Sequence, residues 1–413
     1  MASPDDHVDG YAEQTGEIVA EPVFTVIAPP ESTFRHRPYL IGLALLTVVC
    51  VAGGATLLAV GMTHHSTQLR GVMSSKKDYF EDSEVARLLM KEGLRVQVTD
   101  SRGAQNITKG QRPSHYDFVM PSGQVVGQTV VEYWGGNSTI PFTSPLVVVG
   151  FRDYVNGLVL GKAAEPQRSA QPQGADLYYY LDMTAFVELS VKGTRWRELG
   201  VPSDNRIRAY APDACKSYSG AAYLGLVSGV LSRNGEPPVW NPVTKQGTVP
   251  DAAARIAPWW ESGGLPDEGL SDKFFSHEGP TFAPLAVVYE HQFLNHQMRH
   301  VEQYGSPDLT RVVLYPSRHH HTEPWIVAFT ENGNRLLDLL RTNRDLRRRA
   351  AEIGFRPMDP QQGELTLADA LAARGLSMPS INSSDSRTEL PNRPALAELI
   401  KEVTRCRESG IPW

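Results

Sequence analysis

The chain has 413 residues, with 46 Asp and Glu against 40 Lys and Arg, a formal net charge of −6 and three cysteines. This mild acidity leaves no electrostatic footprint for nucleic acid, so no nucleic-acid partner is expected. The one dense basic run, at 341–349, reads as the solvated face of a helix.

The first 38 residues form an acidic tail, expected to be mostly disordered and cytoplasmic, that ends in Arg35, His36 and Arg37. Residues 39–62 follow without a single charge, longer than the roughly 20 residues that cross a bilayer. Arg70, Lys76 and Lys77 on the far side leave little charge bias. The arginines pressed against the span suit a signal-anchor, with the tail inside and the C-terminal body outside the cytoplasm. Cleavage after 59–61 is the competing form, and a lipoprotein is disfavoured because Cys50 follows Val49 in mid-run. The body, about 350 residues, is long enough for two domains.

Within the body, 69–73 predicts a strand, 83–91 a helix closed by Gly93, and 94–99 a second strand. A strand at 116–120 ends at Pro121-Ser122-Gly123 and leads into a helix reaching about 131. Residues 145–150 are a continuous apolar run, as in a strand buried on both faces. Further strands are expected at 206–210, 285–289, 311–315 and 325–329, and helices at 220–231, 334–353, 367–373 and 395–405. The stretch 165–175 reads as a surface insertion, and 234–269 is dominated by Pro, Gly and Trp. Strands alternating with helices at this spacing indicate a mostly parallel α/β architecture.

In open α/β sheets ligands bind beyond the carboxyl ends of the strands. The residues there are Ser74 and Ser75, Ser101 and Gly103, and Ser122 and Gly123, with Ser217 and Ser219 repeating the arrangement before the 220–231 helix. Each precedes a turn or helix whose first amides lack partners, and each is equally suited to plain N-capping. The chain carries no Gly-x-Ser-x-Gly, His-Glu-x-x-His, phosphate loop or strand-linked Gly-x-Gly-x-x-Gly. No cofactor and no enzymatic activity are therefore expected, although Glu290 and His291 are an acid–base pair in sequence. Consecutive His319, His320 and His321 point to alternate sides of an extended chain, so no metal is assigned. Cys215 and Cys406, the cysteines outside the span, form a disulfide or remain two separate thiols.

The strand-end sequences carry a resemblance. The runs SSKKDYFED (74–82), LRVQVTDSR (94–102), YDFVMPSG (116–123), PFTSPLV (141–147), SYSG (217–220), LAVVYEHQ (285–292), VVLYP (312–316), NGNRLL (332–337) and GFR (354–356) are similar, in order, to bacterial extracellular solute-binding proteins. The resemblance implies a two-lobed, type 2 periplasmic-binding-like α/β fold with parallel or mixed sheets, preceded here by one transmembrane helix. It implies lobe one at 63–146 plus 322–413, lobe two at 147–321, and a small polar or anionic ligand between them. It places Ser74, Ser75, Ser101, Arg102, Ser217, Ser219, Tyr289 and Glu290 around that cleft, and the strand-end reading adds Ser122 to the expected ligand contacts. The chain departs from the family at Lys76-Lys77, where an acidic–basic pair is usual, and at Tyr218, where a small amide is usual. A phenol at 218 fills the pocket in the alternative reading, an envelope assembly subunit with a membrane-protein partner, to which Trp240, Trp259 and Trp260 would contribute surface.

Overall fold

The computed structural model of the chain describes residues 66–73, 76–100, 112, 114–167, 177–232, 235–260, 269–317, 321–381 and 389–404. The expected span at 39–62 lies outside these residues, and among them no helix is long and apolar enough to cross a membrane.

Strand β1 (Thr67–Met73) is followed by helix α1 (Ser83–Lys91), whose N-cap Asp82 accepts from the amides of Glu84 and Val85. That carboxylate satisfies two of the donors a helix start leaves open. Helix α1 returns the chain to β2 (Leu94–Asp100), then β3 (Phe118–Met120), α2 (Gln124–Trp134) and β4 (Asn137–Thr139). Strand β5 (Phe142–Phe151), buried at all ten positions, leads to β6 (Ala164–Pro166) and β7 (Tyr178–Leu181). Helices α3 (Tyr218–Leu231), α4 (Val249–Trp260) and α5 (Leu270–Phe275) precede β8 (Leu285–Tyr289), α6 (Glu290–Tyr304) and β9 (Arg311–Pro316). The chain closes with β10 (His321–Thr322), β11 (Ile326–Ala328), α7 (Glu331–Thr342), α8 (Arg344–Glu352), β12 (Arg356–Pro357) and α9 (Arg393–Thr404).

Two large sheets result, in the orders β2-β1-β3-β11-β4 and β8-β5-β9-β7-β6, beside a two-stranded ribbon of Trp240–Asn241 with Gln246–Gly247. Strand β1 lies parallel to both neighbours, with Val72 opposite Val119 on β3. Strand β11 enters antiparallel to both β3 and β4. Strand β5 is antiparallel to β8 and β9, and its first residues also pair with β10 and β12. It is thus the beam on which the returning chain is hung. The sheets are mixed rather than mostly parallel: an apolar run shows that both faces are buried but carries no direction.

Val72, Val119 and Val327 of the first sheet share one buried cluster with Leu146, Val148 and Leu314 of the second, and Tyr218 and Tyr289 belong to it. Helix α9 packs on α4 and α3, with Leu396 and Leu390 against Gly225.

Several sequence expectations change. The expected 334–353 helix is two helices, because Asn343 turns to accept from the amides of Asp345 and Leu346 and so caps α8. Residues 206–210 form no strand; only Arg206 and Tyr210 make isolated bridges, to Arg195 and Ala286. The Pro/Gly/Trp-rich stretch contains helix α4, and Trp240, Trp259 and Trp260 are half-buried against the shared core instead of forming an open surface. The basic run is only partly solvated: Arg347 is 6% exposed and pairs with Glu364 at 3.0 Å, while Arg349 pairs with Asp82 at 2.7 Å.

Candidate functional site

The first turn of α3 meets the start of α2 at Tyr218 and Gly123, and the carboxyl ends of β3 and β8 meet around one side chain, Lys76. It follows β1 and is 1% exposed, whereas its neighbour Lys77 is half-exposed and paired with Glu81. Its Nζ donates to the Ser122 carbonyl at 3.2 Å and stands 3.6 Å from the centroid of the Tyr289 ring. Among the described residues it forms no ion pair. Burial holds its pKa well below that of a free lysine, opposed only in part by the charge of Asp78. An ammonium in such a place is costly unless an anion completes it.

Tyr218, in the first turn of α3, presses its ring onto Gly123: a Cβ there would stand 1.8 Å from the ring carbon Cζ. The close approach of α3 to the start of α2 therefore requires glycine. Tyr218 is fully buried, its hydroxyl has no partner among the described residues, and burial raises its pKa. Ser217 and Ser219 pair with each other, Oγ to Oγ, at 2.8 Å. Neither Gly123 nor Ser217 supplies a side-chain cap, so the leading amides of α2 and α3 are left to other acceptors.

Ser122, Ser217, Ser219 and Tyr289 are thus brought to the same region, through Lys76 and the Tyr218–Gly123 contact. Ser74, Ser75, Ser101 and Arg102 lie outside the described residues. Glu290 takes a different part. Its two oxygens accept from Arg356 Nε at 2.6 Å and Nη2 at 2.7 Å, and from the Tyr315 hydroxyl at 2.7 Å. The carboxylate is 0% exposed and fully engaged, tying the start of α6 to β12 and β9.

His291 stacks on Phe355, with ring centroids 3.9 Å apart, and its Nδ1 lies 3.0 Å from Ser144 Oγ. Its Nε2 lies 3.4 Å from Asp78 Oδ2. Burial depresses the imidazole pKa, and Asp78 offsets part of that. The trio has the residue types of a nucleophile relay. However, Ser144 is 0% exposed in β5 and its hydroxyl accepts the His291 backbone N–H, so the trio braces the crossover strand.

Lys76 is the site residue that sequence reasoning passed over, noting it for charge bias and as a departure from the family. The one signal was two adjacent lysines just beyond a strand end, which does not say which of them is buried. Cys215 is disulfide-bonded and its Sγ lies 3.1 Å from Thr404 Oγ1; Cys406 lies outside the described residues.

No family model matches the chain, and no curated protein does. Among solved structures it is similar to apo ferric ion-binding protein A of Pasteurella haemolytica, at 12% identity and a TM-score of 0.47, over 82% of this chain and 97% of that one. It is also similar to the sulfate-binding protein SubI of Mycobacterium tuberculosis, at 16% identity and a TM-score of 0.39, over 76% and 92% of the two chains. Iron-bound HitA of Pseudomonas aeruginosa matches at 9% identity and a TM-score of 0.43, over 82% and 97%. Likenesses this distant carry nothing about the site.

Proposed function

We propose that the body is an extracytoplasmic solute-binding module of the type 2 periplasmic-binding kind, holding a small oxyanion between two lobes and tethered by the 39–62 span. The observation that carries the reading is the buried amino group of Lys76, which forms no ion pair among the described residues, together with two helix starts without side-chain caps and the Tyr218 hydroxyl, which has no hydrogen-bond partner among them. Each supplies positive charge or a donor, and a bound oxyanion satisfies all of them at once. In this reading the lobe boundaries fall after Leu146 and before Thr322, the last helix α9 rides on the second lobe, and Cys406 is the partner of Cys215. Ser74, Ser75, Ser101 and Arg102 would add contacts to the same ligand.

The test is calorimetric titration of the full-length chain with sulfate, phosphate and a neutral amino acid. Saturable oxyanion binding that is lost in Lys76→Met supports the reading. Absence of binding to either oxyanion, or binding indifferent to Lys76→Met, overturns it.

The second reading, an assembly subunit that has lost its ligand, is favoured by the Tyr218 ring filling the space over Gly123. Cross-linking in membranes that recovers one stable partner protein, together with no oxyanion binding, would select it.

A further inference from the structure

Helix α6 buries Phe293, Leu294, Gln297 and Met298 and turns its other face to a cavity of about 630 Å³, whose lining includes Asp78 but not Lys76. That volume lies within the ~300–1,000 Å³ of small-molecule sites. One wall is α5 and the turn after it; another is the turn that contains Asp308. The described lining has no aliphatic side chain, and its carboxylates Asp78 and Asp272 offset the charge of Arg299.

Along the helix face runs an aromatic ladder. Phe275 stacks on His296 with centroids 4.8 Å apart and planes at 25°, His300 follows at 6.1 Å, and Tyr304 lies 4.6 Å beyond. Both imidazoles are fixed in place. His296 Nε2 lies 3.0 Å from Asp308 Oδ2, which Arg311 Nη1 also meets at 2.8 Å. His300 Nδ1 lies 2.6 Å from the Ser306 carbonyl, an acceptor only, so that nitrogen donates. Tyr304 ends the ladder 63% exposed. Beside it Asn295, Arg299 and Gln303 have no side-chain hydrogen bond or ion pair among the described residues, although all line the cavity.

The geometry points to a saccharide-binding groove on this face of α6, distinct from the oxyanion site. A pyranose presents an apolar C–H face, which lies on aromatic rings, and an equatorial belt of hydroxyls, which exchange hydrogen bonds with amides and guanidinium. A free anion would meet Asp78 and Asp272, and an apolar ligand would strand the amides unpaired. A pinned ring ladder flanked by uncommitted amide and guanidinium groups matches a chain of sugar rings in both respects.

The test is titration of the full-length chain, free of sugar-headed detergent, with cellotetraose and with tri-N-acetylchitotriose. Saturable binding of either sugar is expected, weakened about tenfold or more by Tyr304→Ala and by Asn295→Ala, the loss that ~1.4 kcal/mol of contact carries. Thermal midpoints of both variants should match the parent, because neither side chain is in the core. Saturating sulfate should leave the sugar affinity unchanged. Absence of binding to both sugars, parental affinity in both variants, or competition with sulfate overturns the proposal; competition would move the sugar to the Lys76 region.

Discussion

The ammonium of Lys76 stands 3.6 Å from the ring centroid of Tyr289, and the two residues are each 1% exposed. Ring and cation attract, but a ring does not neutralise a charge, and burial keeps the lysine pKa well below its ordinary value. An oxyanion bound there would raise that pKa again. Binding should therefore take up a proton wherever the pH lies between the lowered value and the value in the complex, and affinity should rise as pH falls through that window. Calorimetry in buffers of different ionisation heat reads the uptake directly. A binding enthalpy independent of buffer would remove Lys76 as the anion's partner.

Gly123 and Tyr218 set a steric test. Gly123→Ala puts a methyl 1.8 Å from Tyr218 Cζ, and this buried ring has little room to retreat. A loss of about 1–3 kcal/mol is expected, the usual range for overpacking. In a Tyr218→Ala background the same change should cost almost nothing, a non-additivity typical of side chains in contact. Additive losses in urea unfolding would show that the contact does not limit the approach of the two helices.

Glu290 is expected to act through stability. Glu290→Gln leaves Arg356, 21% exposed at its side chain, without its carboxylate, and breaking a buried pair costs about 3–5 kcal/mol. The thermal midpoint should drop while oxyanion affinity, measured well below that midpoint, stays at the parental value. A variant that unfolds like the parent but no longer binds oxyanion would return Glu290 to the ligand.

Acid should weaken the fold through His291. Its folded pKa is depressed, first by burial, so below the unfolded value of about 6.5 the unfolded chain binds the extra proton and the folded chain does not. Stability from this group is complete above that pH and falls as pH drops toward the folded value, by up to ~1.4 kcal/mol per pH unit. Urea midpoints at pH 7.5 and 5.5 measure the slope, and His291→Gln should flatten it. An unchanged slope in that variant would assign the acid sensitivity elsewhere.

The disulfide at Cys215 gives a covalent check. With Cys406 as partner it closes a long loop, and reduction should cost about 2–5 kcal/mol. Non-reducing peptide mapping should recover one linked pair, 215 with 406, and Cys215→Ser and Cys406→Ser should lose equal stability. A peptide linking 215 to Cys50 would refute the pairing.

Much of the body was legible along the chain because its signals are local. The apolar strand β1, the alternating β2, the helix α1 before Gly93 and the unbroken apolar run of β5 appear where their patterns stand. Asn343 shows the limit: a cap in the middle of a helical pattern divides it, and only the local geometry chooses between cap and passenger. Tyr210 shows another, since one bridge to Ala286 is not a strand.

The sequence by itself determined the uncharged run at 39–62, the alternation of strands and helices, and the polar turns at the strand ends, all properties of neighbours along the chain. Tertiary structure decided the rest. It set β5 antiparallel to its partners, buried Lys76 while leaving Lys77 half-exposed, and gave Glu290 to Arg356. Strand direction and the fate of a charge depend on residues that arrive from far along the chain. Local periodicity holds no record of those arrivals; packing and desolvation do.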